Sequence, residues 1–385
     1  MMSCGPYVSF VTYGRNDGYT PSYVRRVSRA TLCLTRQLEH AGLDSEIVIT
    51  DWNPPTERPL LLESLDIPKS SRHVSIRGIV VGAEHHAQFT ASEERGVQTA
   101  EAGNVGIRRA RGRFVTPKAS DTFFSPDVIA RIARRDLDVD TMYRITRHDV
   151  SVDEDTLLRL DDDALLAWLA KLPSSPHALI RQLPFWELRD LHTNACGDFT
   201  LMSAAHWHLL RGHPRDTTVL SLDIDSLVMH AAAAQGVVEC RWPDSCRVFK
   251  PSHGNINTAR VKQIWQPWQR RLDKFLSEKV SETAAHRFRT WFNYPRRTVR
   301  GVDSLLGPSI ERNFVQPASR WARGARLVPS QPENWGLADA ALEQRILCRA
   351  DWEDSSPPRL GTLQGSEKEL ATSIDLENAR DRRVG

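Results

Sequence analysis

YVSFVTYG, residues 7–14, decides the fold. This uncharged run of β-branched and aromatic residues ends at a glycine, a pattern that is typical of a buried strand. Residues 20–42 follow it with apolar side chains at helical spacing and a closing Gly42. The sequence therefore begins with a buried strand and a helix directly after it.

The same alternation continues along the first third of the chain. Further strands are predicted at 46–50, 73–81 and 113–116, with a helix at 97–111 before the last of them. This order predicts an α/β fold, a mostly parallel sheet flanked by helices. Ligands of such sheets bind outside the carboxyl ends of the strands. We therefore expect the site at residues 12–17, 51–53 and 118–121.

The rest of the chain gives a mixed pattern. It predicts strands at 141–146, 198–203 and 245–250, and helices at 156–172, near 204–211 and at 223–236. Residues 351–385 are polar and lack periodicity, so we expect a disordered tail there.

Composition excludes several classes of protein. Of the 385 residues, 40% are hydrophobic and 26% charged, as in ordinary soluble globular proteins, and a net charge of +3 does not indicate a nucleic-acid partner. The six cysteines form no CxxC pair, which fits a reducing compartment. We find neither a signal peptide nor a run of about 18 apolar residues, so we expect a cytoplasmic protein.

The strongest local signal is an acidic residue just beyond the strand at 113–116. Asp121 lies where a carboxylate could hold a divalent metal ion that in turn grips a diphosphate. The alternative is that Asp121 caps the following helix or lies in a turn.

Six short motifs together resemble the GT-A glycosyltransferases of the family-2 type, with a carboxyl-terminal half similar to that of galactosyltransferase-like members. They are RNDGY (15–19), DWNPP (51–55), the stretch 104–121, GDFTLMS (197–203), LDIDS (222–226) and NWGLAD (334–339). The resemblance implies a Rossmann-like GT-A domain over 1–255. A helical extension would occupy 256–350 and return to the core near 334–345.

The resemblance also implies a site for a nucleotide-sugar donor, a UDP- or GDP-sugar. Thr12, Tyr13, Arg15 and Asp17 would line the nucleotide pocket. Asp51 would accept a hydrogen bond from the base or hold the ribose, because a carboxylate is an acceptor only.

The sugar and diphosphate would lie deeper in the same site. The resemblance places Asn104 and Arg108 near the sugar-diphosphate, and Asp198 where it could contact a donor or acceptor hydroxyl. Asp198 could equally be an ordinary polar residue at a strand edge.

The implied cofactor is Mn²⁺ or Mg²⁺, bound by Asp121 and by His253, the late histidine of the family. The usual motif has two acidic or amide residues around the metal. The corresponding residues 119–123 read ASDTF and retain one carboxylate. Metal affinity would then be weak, or the metal would arrive with the donor, or metal dependence would be lost.

Asp225 is our candidate for the general base. An inverting transfer needs a carboxylate that takes the proton of the acceptor hydroxyl as it attacks C1 of the sugar. Asp225 also opens a predicted helix, where the dipole favours a carboxylate with no catalytic role. Asp223 is the alternative base.

Two clusters have less specific interpretations. Residues 255–327 hold fifteen Lys or Arg and five Asp or Glu, with tryptophans among them. We favour a helical lid for 256–327 over peripheral membrane contact, which tryptophan with arginine would also suit. His206, His208 and His213 are assigned to packing or to the surface, because his-x-his on a helix points the rings apart.

The sequence thus supports transfer of a sugar from a nucleotide donor to a glycan or lipid-linked acceptor. The alternative is a non-catalytic relative that binds nucleotide-sugars or glycans and has a degraded metal motif. A nucleotidyltransferase is the third choice, because that class has a glycine-rich basic loop after the first strand and this chain has only Gly14-Arg15 there.

Overall fold

The computed structural model describes residues 5–18, 20, 22–89, 92, 96–172, 174–176, 191–193, 196–215, 224–251, 271–272, 275, 279–280 and 316–353. The chain divides into two compact units, Met1–Glu353 and Asp354–Gly385, and every described residue belongs to the first. The predicted tail from 354 onward and most of 256–327 lie outside the described residues.

The described chain contains thirteen strands. They are β1 Val8–Gly14, β2 Ser45–Trp52, β3 Ser70–Ser71, β4 Val74–Val81, β5 Phe114–Pro117, β6 Phe123–Phe124, β7 Thr141–Arg144, β8 Thr146–Val150, β9 Ser174–Pro176, β10 Met202–Ser203, β11 Val238–Arg241, β12 Arg247–Pro251 and β13 Glu343–Ala350.

Ten α-helices lie between or beside these strands in the described chain. They are α1 Tyr23–His40, α2 Leu61–Ser64, α3 Ala83–His86, α4 Thr99–Arg109, α5 Pro126–Ala133, α6 Glu154–Arg159, α7 Asp162–Lys171, α8 Ala204–Leu210, α9 Ile224–Ala234 and α10 Gln316–Ala322. None of these helices is both long and apolar enough to cross a membrane.

The central sheet has the order β10-β5-β1-β2-β4-β13-β3. β1 pairs in parallel with β2 and β5, and β2 pairs in parallel with β4. β10 and β13 add antiparallel strands to β5 and β4. The predicted fold class, a mostly parallel sheet flanked by helices, is confirmed.

Successive side chains of β1 and β2 point to opposite faces of the sheet, so α1 packs on one face and α4 on the other. Phe10 and Ile47 belong to the same apolar cluster as Leu34 of α1. Val11 and Val48 belong to the cluster that contains Val105 of α4. Burial of both faces explains why these strands read as continuous apolar runs.

A second sheet, of order β6-β12-β8-β9, lies beyond β5 in the chain. β12 pairs antiparallel with β6, which places Phe249 opposite Phe123. The prediction of a single strand at 141–146 is wrong. The segment divides at Ile145 into β7 and β8, because β7 pairs with β11 whereas β8 pairs with β12.

The helix predicted at 156–172 is also two helices. Asp153 accepts a hydrogen bond from the Thr156 amide and begins α6, and Asp161 accepts one from the Ala164 amide and begins α7. Each aspartate satisfies an amide that the first turn of a helix leaves without a partner. Asp161 therefore starts a new helix inside the predicted one.

The strand predicted at 198–203 is shorter than expected. Cys196–Asp198 forms a 3₁₀ turn, and only Met202–Ser203 is strand. The Thr200 hydroxyl donates to the Cys196 carbonyl at 2.8 Å. This bond closes the turn and holds Asp198 out of the ladder.

A buried carboxylate joins the strands at the amino ends of β1, β2 and β4. Glu46 is 0% exposed and accepts from Arg77 Nε at 2.6 Å, the Ser9 hydroxyl at 2.8 Å and the Arg111 amide at 2.9 Å. Arg77 Nη2 donates to the Arg109 carbonyl at 2.6 Å. These bonds fix where α4 ends and β5 begins, and so position the opposite, carboxyl end of β5.

Replacing Glu46 by Ala should lower the free energy of unfolding by about 3–5 kcal/mol, because Arg77 would remain buried without its partner. Urea denaturation measures the change. Glu343→Ala is the control: it lies on the same sheet in an exposed pair with Arg345, and should cost about 0–1 kcal/mol. Equal losses in the two variants would contradict the role of Glu46.

Candidate functional site

The candidate site lies at the carboxyl ends of β1 and β5. β1 has β2 on one side and β5 on the other. The chain leaves β1 through α1 toward β2, whereas it enters β5 from β4 through α4. This is the point at which open α/β sheets leave a crevice for ligands. Lys118 continues β5 beyond its last residue, and its amide donates to the Val11 carbonyl at 2.8 Å.

Asp121 lies in the short loop between β5 and β6 and is 2% exposed. Its Oδ2 accepts from Arg26 Nε at 3.4 Å and its Oδ1 from Lys250 Nζ at 3.1 Å. Arg26 comes from α1, and Lys250 from β12 by way of the β6–β12 pairing. Three separate elements therefore meet at one buried carboxylate.

Two lysines lie beside this carboxylate. Lys118 is buried and donates to the Ser120 carbonyl at 3.3 Å. Burial lowers its pKa to about 8, although the charge of Asp121 opposes the change. Burial also acts to lower the pKa of Lys250, but the carboxylates of Asp121 and Asp198 raise it above the ordinary value. Lys250 is therefore a fixed positive charge at neutral pH.

Asp198 is the second buried carboxylate of the site. It ends the 3₁₀ turn, and its Oδ2 accepts from Arg147 Nη1 of β8 at 2.6 Å. Burial would raise its pKa, but the charges of Arg147 and Lys250 bring the pKa below the ordinary value. Asp198 is thus ionised and shares Lys250 electrostatically with Asp121.

Asp225 lies in the first turn of α9 and is half-buried. Its Oδ2 accepts from the Gly197 amide at 2.8 Å, and its Oδ1 accepts from the Ser226 amide at 3.0 Å. A Cβ on Gly197 would lie 2.9 Å from Oδ2, so the glycine allows this close approach. Asp225 is therefore anchored to the same turn as Asp198.

Tyr13 connects the two aspartates to β1. Burial raises the pKa of its phenol, and the charges of Asp198 and Asp225 raise it further. Tyr13, Asp198 and Asp225 thus lie within electrostatic range of one another at the carboxyl end of β1. The phenol stays protonated at neutral pH and can donate a hydrogen bond.

His213 belongs to the site, although the sequence pattern assigned it to packing or to the surface. It is 7% exposed, its ring lies 5.2 Å from that of Trp207, and its Nδ1 has no hydrogen-bond partner among the described residues. Burial lowers the pKa of its imidazole to about 4 against the charge of Asp225, so the ring is neutral. Arg211 and Gly212, both at positive φ, end α8 before this residue. The glycine at 212 is the sequence feature that indicates the end of the helix before His213.

The Asn104 side chain bonds the backbone of His213 and does not lie at the carboxyl ends of β1 and β5. It is fully buried, its Nδ2 donates to the His213 carbonyl at 3.0 Å, and its Oδ1 accepts from the His213 amide at 2.6 Å. A single side chain thus clamps the backbone of His213 to α4. Arg108 lies in the last turn of the same helix, with its guanidinium 5.0 Å from the Trp335 ring, and the structure does not bring it to the carboxyl edge.

The predicted nucleotide residues lie at the ends of β1 and β2. Asp51 is 0% exposed; its Oδ2 accepts from the Leu62 amide at 3.4 Å, whereas its Oδ1 has no partner among the described residues. Thr12 Oγ1 is likewise buried without a described partner. Arg15 pairs with Asp17 at 3.4 Å and donates to the Gly96 carbonyl at 2.9 Å.

The described residues do not fit a resident divalent metal ion. They contain no group of three His, Cys, Asp or Glu side chains placed to hold one. Both oxygens of Asp121 already face cationic side chains. His253 and Asp223 lie outside the described residues, so their predicted roles stay predictions.

Comparison with known proteins gives one kind of match. No protein-family model matches the sequence, and no curated protein matches it. Among solved structures, the chain matches S. aureus TarS 1–349 in complex with UDP-GlcNAc, at 11% identity and a TM-score of 0.39 over 81% of each chain. It also matches S. aureus TarS 1–349, at 11% identity and a TM-score of 0.40 over 82% of each chain. Similarity at this level assigns no activity to the present chain.

Asp51 should make stability fall as pH rises. Burial raises its pKa from 3.8 to about 6, so between these values the folded protein holds a proton that the unfolded chain has lost. Its contribution to the free energy of unfolding is present below pH 3.8 and is lost as the pH rises through 6. Relative to Asp51→Asn, wild type should lose about 2 kcal/mol between pH 4 and pH 7.

Urea denaturation of both proteins at the two pH values measures this difference. Asp153→Asn is the control, because Asp153 also accepts from a helix amide, yet its own hydrogen bonds to Thr156 lower its pKa. The difference in free energy of unfolding between Asp153→Asn and wild type should stay constant between about pH 4 and pH 7. A constant difference for Asp51→Asn would show that burial does not raise the pKa of this carboxyl above 3.8.

Proposed function

We propose that this chain is a GT-A glycosyltransferase of the hexosyltransferase type. It would transfer a sugar from a UDP- or GDP-sugar to a glycan or lipid-linked acceptor. The observation that carries the proposal is the meeting of two kinds of group at one sheet edge. Two fixed cations, Lys250 and Arg147, pair with the buried carboxylates Asp121 and Asp198. A further carboxylate, Asp225, is held to the turn that contains Asp198 by the Gly197 amide.

Transfer of a sugar from a nucleotide requires both groups. The departing diphosphate gains negative charge as the bond to C1 breaks, and preorganised cations stabilise that charge. The acceptor hydroxyl must lose its proton as its oxygen attacks C1, and a carboxylate on the opposite face can take it. In this proposal Lys250 and Arg147 serve the diphosphate, and Asp225 is the general base.

The nucleotide is proposed to lie over the ends of β1 and β2. Asp51 Oδ1 and Thr12 Oγ1 are buried polar atoms without described partners, and such atoms are costly unless something satisfies them. An N–H of the base or a ribose hydroxyl would satisfy the carboxylate. Arg15 and Asp17, which follow β1, would border the same pocket.

The sugar is proposed to lie between Tyr13, Asp198 and Asp225. Arg147 holds Asp198 in one orientation, so that carboxylate can orient a sugar hydroxyl without moving. The Tyr13 phenol and the neutral His213 ring add groups that can hydrogen-bond further hydroxyls. This set has the mixed polar character that recognition of a sugar needs.

Calorimetric titration with UDP-, GDP-, CDP- and dTDP-sugars, each with and without Mn²⁺, tests the proposal. We expect one nucleotide class to bind. Asp225→Asn should bind that donor as wild type does but hydrolyse it about 100-fold more slowly or worse, because water then takes the acceptor's place and loses its base. Hydrolysis is followed by release of the nucleoside diphosphate.

Asp163→Asn provides the matched control. Like Asp225, Asp163 lies in the first turn of a helix, but this helix is α7, away from the sheet edge, and Asp163 is exposed. Its replacement should therefore leave hydrolysis unchanged. Binding without any turnover by wild type would support the alternative, a non-catalytic nucleotide-sugar-binding protein. Failure of every donor to bind would overturn both.

A further inference from the structure

Lys250 stands where the sequence resemblance places a metal ion. Its Nζ lies 3.1 Å from Asp121 Oδ1, and the charges of Asp121 and then of Asp198 raise its pKa above the ordinary value although burial opposes them. The position follows from the fold, because β12 pairs with β6, and β6 begins two residues after Asp121. The ammonium is thus set by sheet register and not by a flexible loop.

The two members of this pair differ in access. The Asp121 side chain is 2% exposed and the Lys250 side chain is 21% exposed. Lys250 is therefore the member of the pair that solvent and ligands can reach, whereas Asp121 is covered by the protein.

The other oxygen of Asp121 is also occupied. Arg26 Nε lies 3.4 Å from Oδ2, and its side chain is 6% exposed. Mg²⁺ binds through one or two carboxylates together with water and phosphate oxygens. Here the one carboxylate is shared by two cationic side chains, and a divalent ion at this position would be repelled by both.

We propose that Lys250 supplies the positive charge that binds the diphosphate of the donor, and that donor binding needs no divalent metal ion. This inference rests on the proposed glycosyltransferase function and names how that site holds its substrate. Asp121 is then a positioning residue: it orients Lys250 and does not bind a metal.

The chemistry of an ammonium suits this role. It has three N–H donors, of which the described structure assigns one to Asp121. The remaining two can point to oxygens of a phosphate, and bonds between charged partners are about twice as strong as neutral ones. Arg147, which is held by Asp198 and Asp149, lies beside Lys250 and adds a second cation.

Titration calorimetry with UDP and GDP as probes, in EDTA and then in Mn²⁺, tests the inference on the whole protein. We expect wild type to bind one of them equally well in both conditions. Lys250→Met, which removes the ammonium and keeps most of the length of the side chain, should weaken that binding by about tenfold or more. It should leave binding of the corresponding nucleoside unchanged, because the nucleoside has no diphosphate.

Two further variants separate charge from folding. Lys250→Arg should retain most of the binding in EDTA, and Lys171→Met, at an exposed lysine of α7, should bind as wild type does. The melting temperature of each variant shows whether it is folded. If Lys250→Met is unfolded, the comparison of wild type in EDTA and in Mn²⁺ still decides the question.

The outcomes distinguish this inference from the function on which it rests. Wild-type binding that requires Mn²⁺, or that Lys250→Met leaves intact, would overturn the role of Lys250 while leaving a nucleotide-sugar enzyme in place. Absence of binding by UDP, GDP and every nucleotide-sugar would overturn the proposed function itself.

Discussion

The buried carboxylate of Asp121 constrains the whole site. A carboxyl group that is 2% exposed needs partners for its oxygens, and here Arg26 of α1 and Lys250 of β12 pair with it. Helix α1, which covers one face of the central sheet, and β12, an inner strand of the second sheet, therefore meet at the end of β5. Removing the carboxylate would leave two cations facing each other where the proposed donor binds.

This constraint explains how one edge can hold groups of opposite charge. Asp198 continues the alternation, with Arg147 on one side and Lys250 within electrostatic range on the other. Asp225 differs from these pairs, because among the described residues its oxygens accept from the Gly197 and Ser226 amides. In the proposed function Asp225 is the base, whereas Lys250 and Arg147 bind the diphosphate.

Local patterns in the sequence predicted much of the fold and part of the site. The long strands and helices up to residue 116 follow from periodicity and are confirmed, whereas the short α2, β3 and α3 were not predicted. Asp121 could be placed beyond β5 by rule, and Asp51 lies in the last two residues of β2. Lys250 could not, because its partner Asp121 is 129 residues away and only the β6–β12 pairing joins them. The predicted packing role of His213 agrees with its burial against Trp207. Its proximity to Asp225 depends on the turn at Arg211 and Gly212, which helical periodicity does not predict. Periodicity predicts one helix at 156–172, but Asp161 caps the amino end of α7 and so begins a second helix there.

The most direct test is a crystal structure of the protein with the nucleoside diphosphate that binds it. We predict that the diphosphate lies at the carboxyl ends of β1 and β5, with a phosphate oxygen within hydrogen-bond distance of Lys250 Nζ and the base near Asp51. A diphosphate bound elsewhere would contradict the site. A diphosphate held by a metal ion on Asp121, with Lys250 turned away, would contradict the proposed role of the lysine.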